Sequence, residues 1–240
     1  RGLRDGEIRM KTGARLHTDK TFEAELKQLR DKLLLMGGKV EHAISNSVRA
    51  VVERDSALGE RTKEEDRIIN RLEIDIDDSC RRILALRQPA ASDLRFITMA
   101  LKIVTDLERM GDLAVNIAER AADLNQVSPL RPLHELYKLA DLAQAQLKKA
   151  LDAFVHSDAE KAEEVLKTDD LLDALYLKIL NELVALMMED SKNIRRAMSL
   201  MFVAKHLERL GDHVTNLAEM VIYMVRGTDV RHPRSRELKR

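Results

Sequence analysis

Leu107-Glu108-Arg109-Met110-Gly111-Asp112 and, one hundred residues further on, Leu207-Glu208-Arg209-Leu210-Gly211-Asp212 are two copies of one motif. Asn116, Ala118 and Glu119 return as Asn216, Ala218 and Glu219, so eight of the fourteen positions from 106 to 119 are identical. Such self-similarity over this period means that one helical unit was duplicated. Leu107, Met110, Ala114, Ile117 and Ala121 recur at helical spacing and define a stripe to be buried.

Working outward from the motif, the chain reads as six helices in two sets of three. The first set spans about 22–54, 60–87 and 92–126, the last behind Ser92 as capping candidate. The second spans about 133–156, 159–189 and 192–226, ending at Gly227. All four prolines, Pro89, Pro129, Pro132 and Pro233, fall between periodic stretches. Helices of this length with one apolar stripe each pack as antiparallel bundles. The expected fold is all-α, two tandem antiparallel three-helix bundles over 21–127 and 133–227. Residues 1–20 and 228–240 show little periodicity and are expected to fray; the second stretch is a basic tail.

Composition narrows the function. In 240 residues, 41 basic side chains balance 41 acidic ones, and aromatics make up only 3% with no Trp. Neutrality argues against a nucleic-acid partner, which needs a clustered positive surface. The longest purely apolar runs, Leu183 to Met188 and Met220 to Val225, are six residues long, against about 20 for a membrane span. A soluble protein is expected, with its single cysteine, Cys80, buried and inert in a reducing cytoplasm.

The duplicated motif carries the chemistry. Glu108, Asp112, Asn116 and Glu119 fall within a sector of about 80° on one helix face, and Glu208, Asp212, Asn216 and Glu219 repeat it. Like charges at i and i+4 destabilise a helix by a few tenths of a kcal/mol, so their repetition asks for a compensating cation. The preceding helices carry Asp66 and Asn70, and Asp169 and Asp173, again at i and i+4. Asp66 and Asp112 are equidistant from Pro89, as are Asn70 and Glu108. Asp169 and Asp212, and Asp173 and Glu208, are equidistant from the 190–191 junction. In an antiparallel hairpin equidistant residues share a level, so each hairpin can gather four oxygen-bearing side chains. Clustered carboxylates repel, and a hard cation resolves the repulsion. The candidate ions are Fe, Zn, Mn, Mg or Ca. His206 and His213 flank the second set as further ligands or as surface histidines. Two readings stay open for both stripes, a merely solvated acidic face and a metal site.

With the duplicated Leu-Glu-Arg-x-Gly-Asp motif, the Arg87-Gln88-Pro89-Ala90-Ala91-Ser92-Asp93-Leu94-Arg95 turn, Met188-Glu189-Asp190, and Arg226-Gly227-Thr228-Asp229-Val230 after the last helix, the chain resembles the PhoU family over about residues 20–232. The resemblance implies paired three-helix bundles without catalytic activity. It also implies a cytoplasmic negative regulator of the phosphate-starvation response, acting as an adaptor between the Pst phosphate transporter with its PstB ATPase and the PhoR histidine kinase. Such a protein meets the inner face of the membrane only through its partners. Some members bind multinuclear metal clusters through Glu/Asp-x-x-x-Asp pairs, matched here by Glu108 with Asp112, Glu208 with Asp212 and Asp169 with Asp173. Asn70 stands where a second Asp is usual, so the first site is expected to bind metal more weakly than the second. A homodimer is expected, as all-helical proteins with spare apolar surface often pair. The competing readings are a ferritin-like di-metal carboxylate enzyme and a metal-free helical scaffold. The first needs inward carboxylates and Glu-x-x-His, and no Glu here has a His at i+3.

Overall fold

The computed structural model describes the backbone over residues 4–89, 91–130 and 134–230, and side chains within these ranges from Lys20 onward. The described residues form seven α-helices and one 3-10 turn, with no strand: α1 Arg4–Val52, α2 Ser56–Arg87, α3 Ala91–Asn125, α4 His134–His156, α5 Ala159–Leu166, α6 Asp169–Glu189, the turn Ser191–Asn193, and α7 Ile194–Arg226. No helix among them is long and apolar enough to cross a membrane.

The duplication is visible in the way the helices start. Arg54 and Ser157 both adopt left-handed backbone, φ 58° and 51°. In each repeat an aspartate follows and caps the next helix: Asp55 accepts from the Leu58 amide and Asp158 from the Lys161 amide, both at 2.9 Å. A constant offset of 103 then relates α2 to α5 and α6. Ile69, Ile76, Cys80 and Ile83 are buried in the first repeat, and Leu172, Ile179, Leu183 and Leu186 in the second.

Two features depart from the sequence reading. The long helix expected over 159–189 is broken at Lys167 and Thr168. Thr168 turns its hydroxyl onto the Val165 carbonyl, 2.8 Å, and the buried amide of Gln146 donates to the Thr168 carbonyl and hydroxyl, both 3.0 Å. A side chain that bonds its own backbone competes with helix continuation, and Gln146 of α4 is a tertiary partner that no local pattern reveals. In addition, α1 begins at Arg4, whereas the first helix is expected from about residue 22. Of the tail 228–240, residues 231–240 lie outside the described residues, as does the linker stretch 131–133.

The helices form two groups, α1–α3 and α4–α7, the second keeping three-helix form because α5 and α6 together take the place of α2, and the groups are joined back to back by α3 against α7. Leu107, Met110, Leu207 and Leu210 have no exposed surface, and one continuous core runs through both groups. Leu107, Met110, Ala114, Ile117 and Ala121 are all buried, as their spacing predicts. Cys80 is fully buried, and burial pushes its thiol up to about 12, so it is unreactive at neutral pH.

Candidate functional site

Each hairpin exposes an acidic seam on its outer face. In the first, Asp66 of α2 lies against Gly111 of α3: a Cβ at Gly111 would come within 3.1 Å of Asp66 Oδ1 and 3.3 Å of Ile69. Glycine inside a helix costs about 1 kcal/mol relative to Ala, and here its missing side chain makes the room that Asp66 and Ile69 occupy. Asn70 Nδ2 donates to Asp66 Oδ2 at 2.8 Å. The other oxygen, Oδ1, is buried without a partner among the described residues. Burial holds the Asp66 carboxyl above its ordinary range; the Asn70 hydrogen bond works against that shift and the Asp112 charge adds to it. Glu108 is raised as well, by burial first and then by the charges of Asp112, Glu73 and Asp66.

The second seam repeats the plan with different neighbours. Leu172 takes the place of Ile69 against Gly211, where a Cβ would meet its Cδ1 at 2.9 Å. The helix break puts Asp169 in the first turn of α6, where the helix dipole favours a negative charge. Thr215 Oγ1 donates to Asp169 Oδ1 at 3.1 Å. Asp173 is raised by burial and by the charges of Asp169 and Glu208; Asp212 is raised by burial and by Glu208 and Asp169. This seam holds its own cation. Lys205 Nζ lies over the Tyr176 ring and donates to Glu208 Oε2 at 2.6 Å. Its counterpart in the first repeat is Thr105, and no basic side chain among the described residues forms an ion pair with Asp66, Glu108 or Asp112.

The expected quartets therefore share their seams, and three further residues enter: Glu73, Lys205 and Thr215. Glu73 follows Asn70 by three positions and Lys205 precedes Glu208 by three, so both were legible as helix neighbours; Thr215 offered no signal before the hairpin was folded. Asn216 and Glu219 line a cavity of about 430 Å³ with Leu101, Lys102, Thr105 and Asp106 of α3, apart from the α6 seam. Asn116 is half-buried on α3 and Glu119 is exposed. The histidines differ from both sequence readings. His213 Nδ1 bonds Asp106 Oδ1 at 2.8 Å across the α3–α7 contact. His206 is half-buried, with Nδ1 enclosed, and burial and the charges of Arg209 and Arg120 hold its pKa down. The packing of α3 on α7, which no local spacing encodes, encloses them.

Among the described residues no three His, Cys, Asp or Glu side chains converge closely enough to grip an ion as they stand. The donor chemistry nevertheless fits a hard or borderline cation. Several carboxylates share each seam, two or more per seam resist ionisation, and one enclosed oxygen has no hydrogen bond to lose. The seams face outward, with Asn70, Asp112, Asp173 and Asp212 exposed, whereas a ferritin-like di-metal centre projects its carboxylates into the bundle core.

The family model described as PhoU domain matches residues 33–121 and 136–221, one match per repeat. A phosphate-specific transport system accessory protein PhoU homolog from Pseudomonas putida is 47% identical over 218 residues, covering 90% of this chain and 85% of that protein. The phosphate-specific transport system accessory protein PhoU of Escherichia coli K12 is 37% identical over 224 residues, covering 92% of each. The crystal structure of PhoU from Pseudomonas aeruginosa superposes with a TM-score of 0.84 at 44% identity, over 86% of this chain and all of that one.

Proposed function

The chain belongs to the PhoU family, and from that premise we propose that it is a negative regulator of the phosphate-starvation response, an adaptor between the Pst transporter, through PstB, and a PhoR-type histidine kinase. At the coarser level it is a phosphate-signalling regulator, the accessory protein of a phosphate transport system, and not an enzyme. The observation that carries the reading is that the likeness spans both repeats, including both acidic seams. An adaptor transmits a state when it binds one conformation of each partner more tightly than the other. It acts here as a cytoplasmic homodimer that reaches the membrane only through its partners.

The seams supply the second half of the proposal. Asp66, Glu108 and Asp112, supported by Asn70 and Glu73, would hold one divalent or ferric ion or a small cluster. Asp169, Asp173, Glu208 and Asp212 would hold another. Bound metal would supply positive charge that neutralises these carboxylates and ties α2 to α3 and α6 to α7. Asn70 removes one charge from the first seam; Glu73 adds one there and Arg109 offsets one, just as Asp170 adds one in the second and Lys205 offsets one. The local charge balance thus favours the second seam as the tighter site.

Affinity purification from membranes of cells grown at high and low phosphate tests the adaptor: PstB and the kinase are expected to co-purify, in proportions that change with phosphate. Recovery of neither refutes it. Elemental analysis of untagged protein tests the metal: at least one transition-metal ion per chain is expected, and a chain free of metal that also fails to take up Mn²⁺, Zn²⁺ or Fe³⁺ refutes the site.

A further inference from the structure

Outside the seams, α6 leaves an apolar stripe in solvent. Leu177, Val184 and Met188 are 58%, 44% and 83% exposed. With Ala174 and Asn181, both exposed, they follow the alternating three- and four-residue spacing of a coiled-coil seam, the positions conventionally called a and d. On the adjoining edge of α7, Ile194 and Met198 are exposed as well. The matching face of the duplicated hairpin is more polar. At the offset of 103, Ala174, Asn181 and Val184 correspond to Arg71, Asp78 and Arg81, and Met188 to Ala85; Arg81 pairs with Asp78 at 3.1 Å and with Asp77, while Leu177 corresponds to Ile74, itself 61% exposed. The α2 face is largely charged at these positions, with Ile74 its one exposed large apolar side chain among them; the α6 face is apolar at every position but Asn181, which marks an interaction surface.

We infer that this α6 face is where two copies of the chain pair, antiparallel, about a two-fold axis at Asn181. The stripe is complementary to itself. Asn181 is its only polar member and stands at its centre, so antiparallel pairing sets the two amides against each other. The same register opposes small Ala174 to large Met188 at each end. A single polar residue at an a position selects register and partner number at some cost in stability. Any other register buries Asn181 against an apolar side chain. From Ala174 to Met188 the stripe is about 21 Å long and, with the α7 edge, about 15–20 Å across, so self-pairing covers about 300–400 Å² in projection and about twice that in accessible area, close to the ~800 Å² per partner of a standard interface.

The inference rests on the homodimer reading above, and the experiment separates the two. Sedimentation of the full chain at 1–100 μM gives the oligomeric state; cross-linking gives the face. Because Cys80 is buried, Asn181→Cys places the one accessible thiol on the axis, and a short bismaleimide is expected to link it to its mate, while Asp141→Cys on exposed α4 gives no dimer band. Val184→Glu with Met188→Glu is expected to weaken dimerisation at least 100-fold with an unchanged helical circular dichroism spectrum. Ile74→Glu, at the α2 position matching Leu177, leaves it unchanged. A monomer at 100 μM overturns both the homodimer and this face. A dimer that neither cross-links at 181 nor responds to the double variant overturns the face alone. Sensitivity without the cross-link overturns the antiparallel register.

Discussion

Replacing Glu108 by Gln is expected to act in opposite directions on the stripped and the metal-loaded protein. Burial and the neighbouring carboxylates hold Glu108 above its ordinary range in the folded chain. A carboxyl whose folded pKa exceeds its unfolded one contributes stability that is fully present below the unfolded value, about 4.3, and is lost as pH rises through the folded one. At pH 7 the ionised group therefore opposes folding. The i, i+4 repulsion with Asp112 costs about 0.2–0.5 kcal/mol. Glu73 and Asp66 across the seam each add a similar amount at partly solvated separations, so the neutral amide should recover about 1 kcal/mol. At about 2.1 cal/mol/K per residue the whole chain unfolds with about 0.5 kcal/mol/K, which makes the gain about 2 °C in Tm.

The loaded protein reverses the order. An ion at one hundred times its Kd stabilises the wild type by about 2.7 kcal/mol, about 5 °C, and Glu108→Gln forfeits most of this at its own seam. The assay is thermal unfolding followed by circular dichroism, in EDTA and then in Mn²⁺ or Zn²⁺, at pH 7 and near pH 4. The EDTA difference should shrink towards zero at the lower pH, where both proteins carry a neutral group. If Glu108→Gln lowers the EDTA Tm at pH 7, the carboxylate is satisfied in the folded chain and the reasoning about a frustrated seam fails.

Metal titration by calorimetry should show a larger loss of affinity in Asp169→Ala than in Asp66→Ala; equal losses would remove the argument from the charge missing at Asn70. In an Asp66→Ala background, Lys205→Met should strengthen Mn²⁺ binding at the second seam about fivefold, since a partly exposed ion pair is worth about 1 kcal/mol; weaker binding would mean that Lys205 organises the ligands rather than competing for them. Asp55→Ala removes the α2 cap and should cost about 1 kcal/mol in urea unfolding, while Asp55→Asn costs a few tenths; equal effects would show that charge matters more than the hydrogen bond. Gly211→Ala gains about 1 kcal/mol of helix propensity but forces Leu172 aside in a packed core at a cost of about 1–3 kcal/mol. A net loss of stability is expected, and a more stable variant would show that Leu172 has room to move.

Much of the site was legible because a helix face is a property of spacing. Glu108 and Asp112, and their copies, lie one turn apart whatever else the chain does, and symmetry about the turn sets the level at which Asp66 and Asp169 meet them. How the charges of a seam add up was not legible, since it depends on which side chains the two helices of a hairpin bring to one level. Lys205 sits three residues before Glu208 and could have been read as a surface lysine. His206 and His213 looked like surface residues until α3 and α7 met around them.

Taken alone, the order of residues determined the helices, the duplication, the buried stripes and the two acidic faces, because periodicity and caps act within a few residues. Tertiary structure decided the rest: Gln146 holds the break before Asp169, the core fuses the two bundles through α3 and α7, and Asp66 Oδ1 is enclosed beside Gly111. Each of these is a balance of desolvation and close packing between segments far apart in the chain, and that balance exists only once the segments have come together.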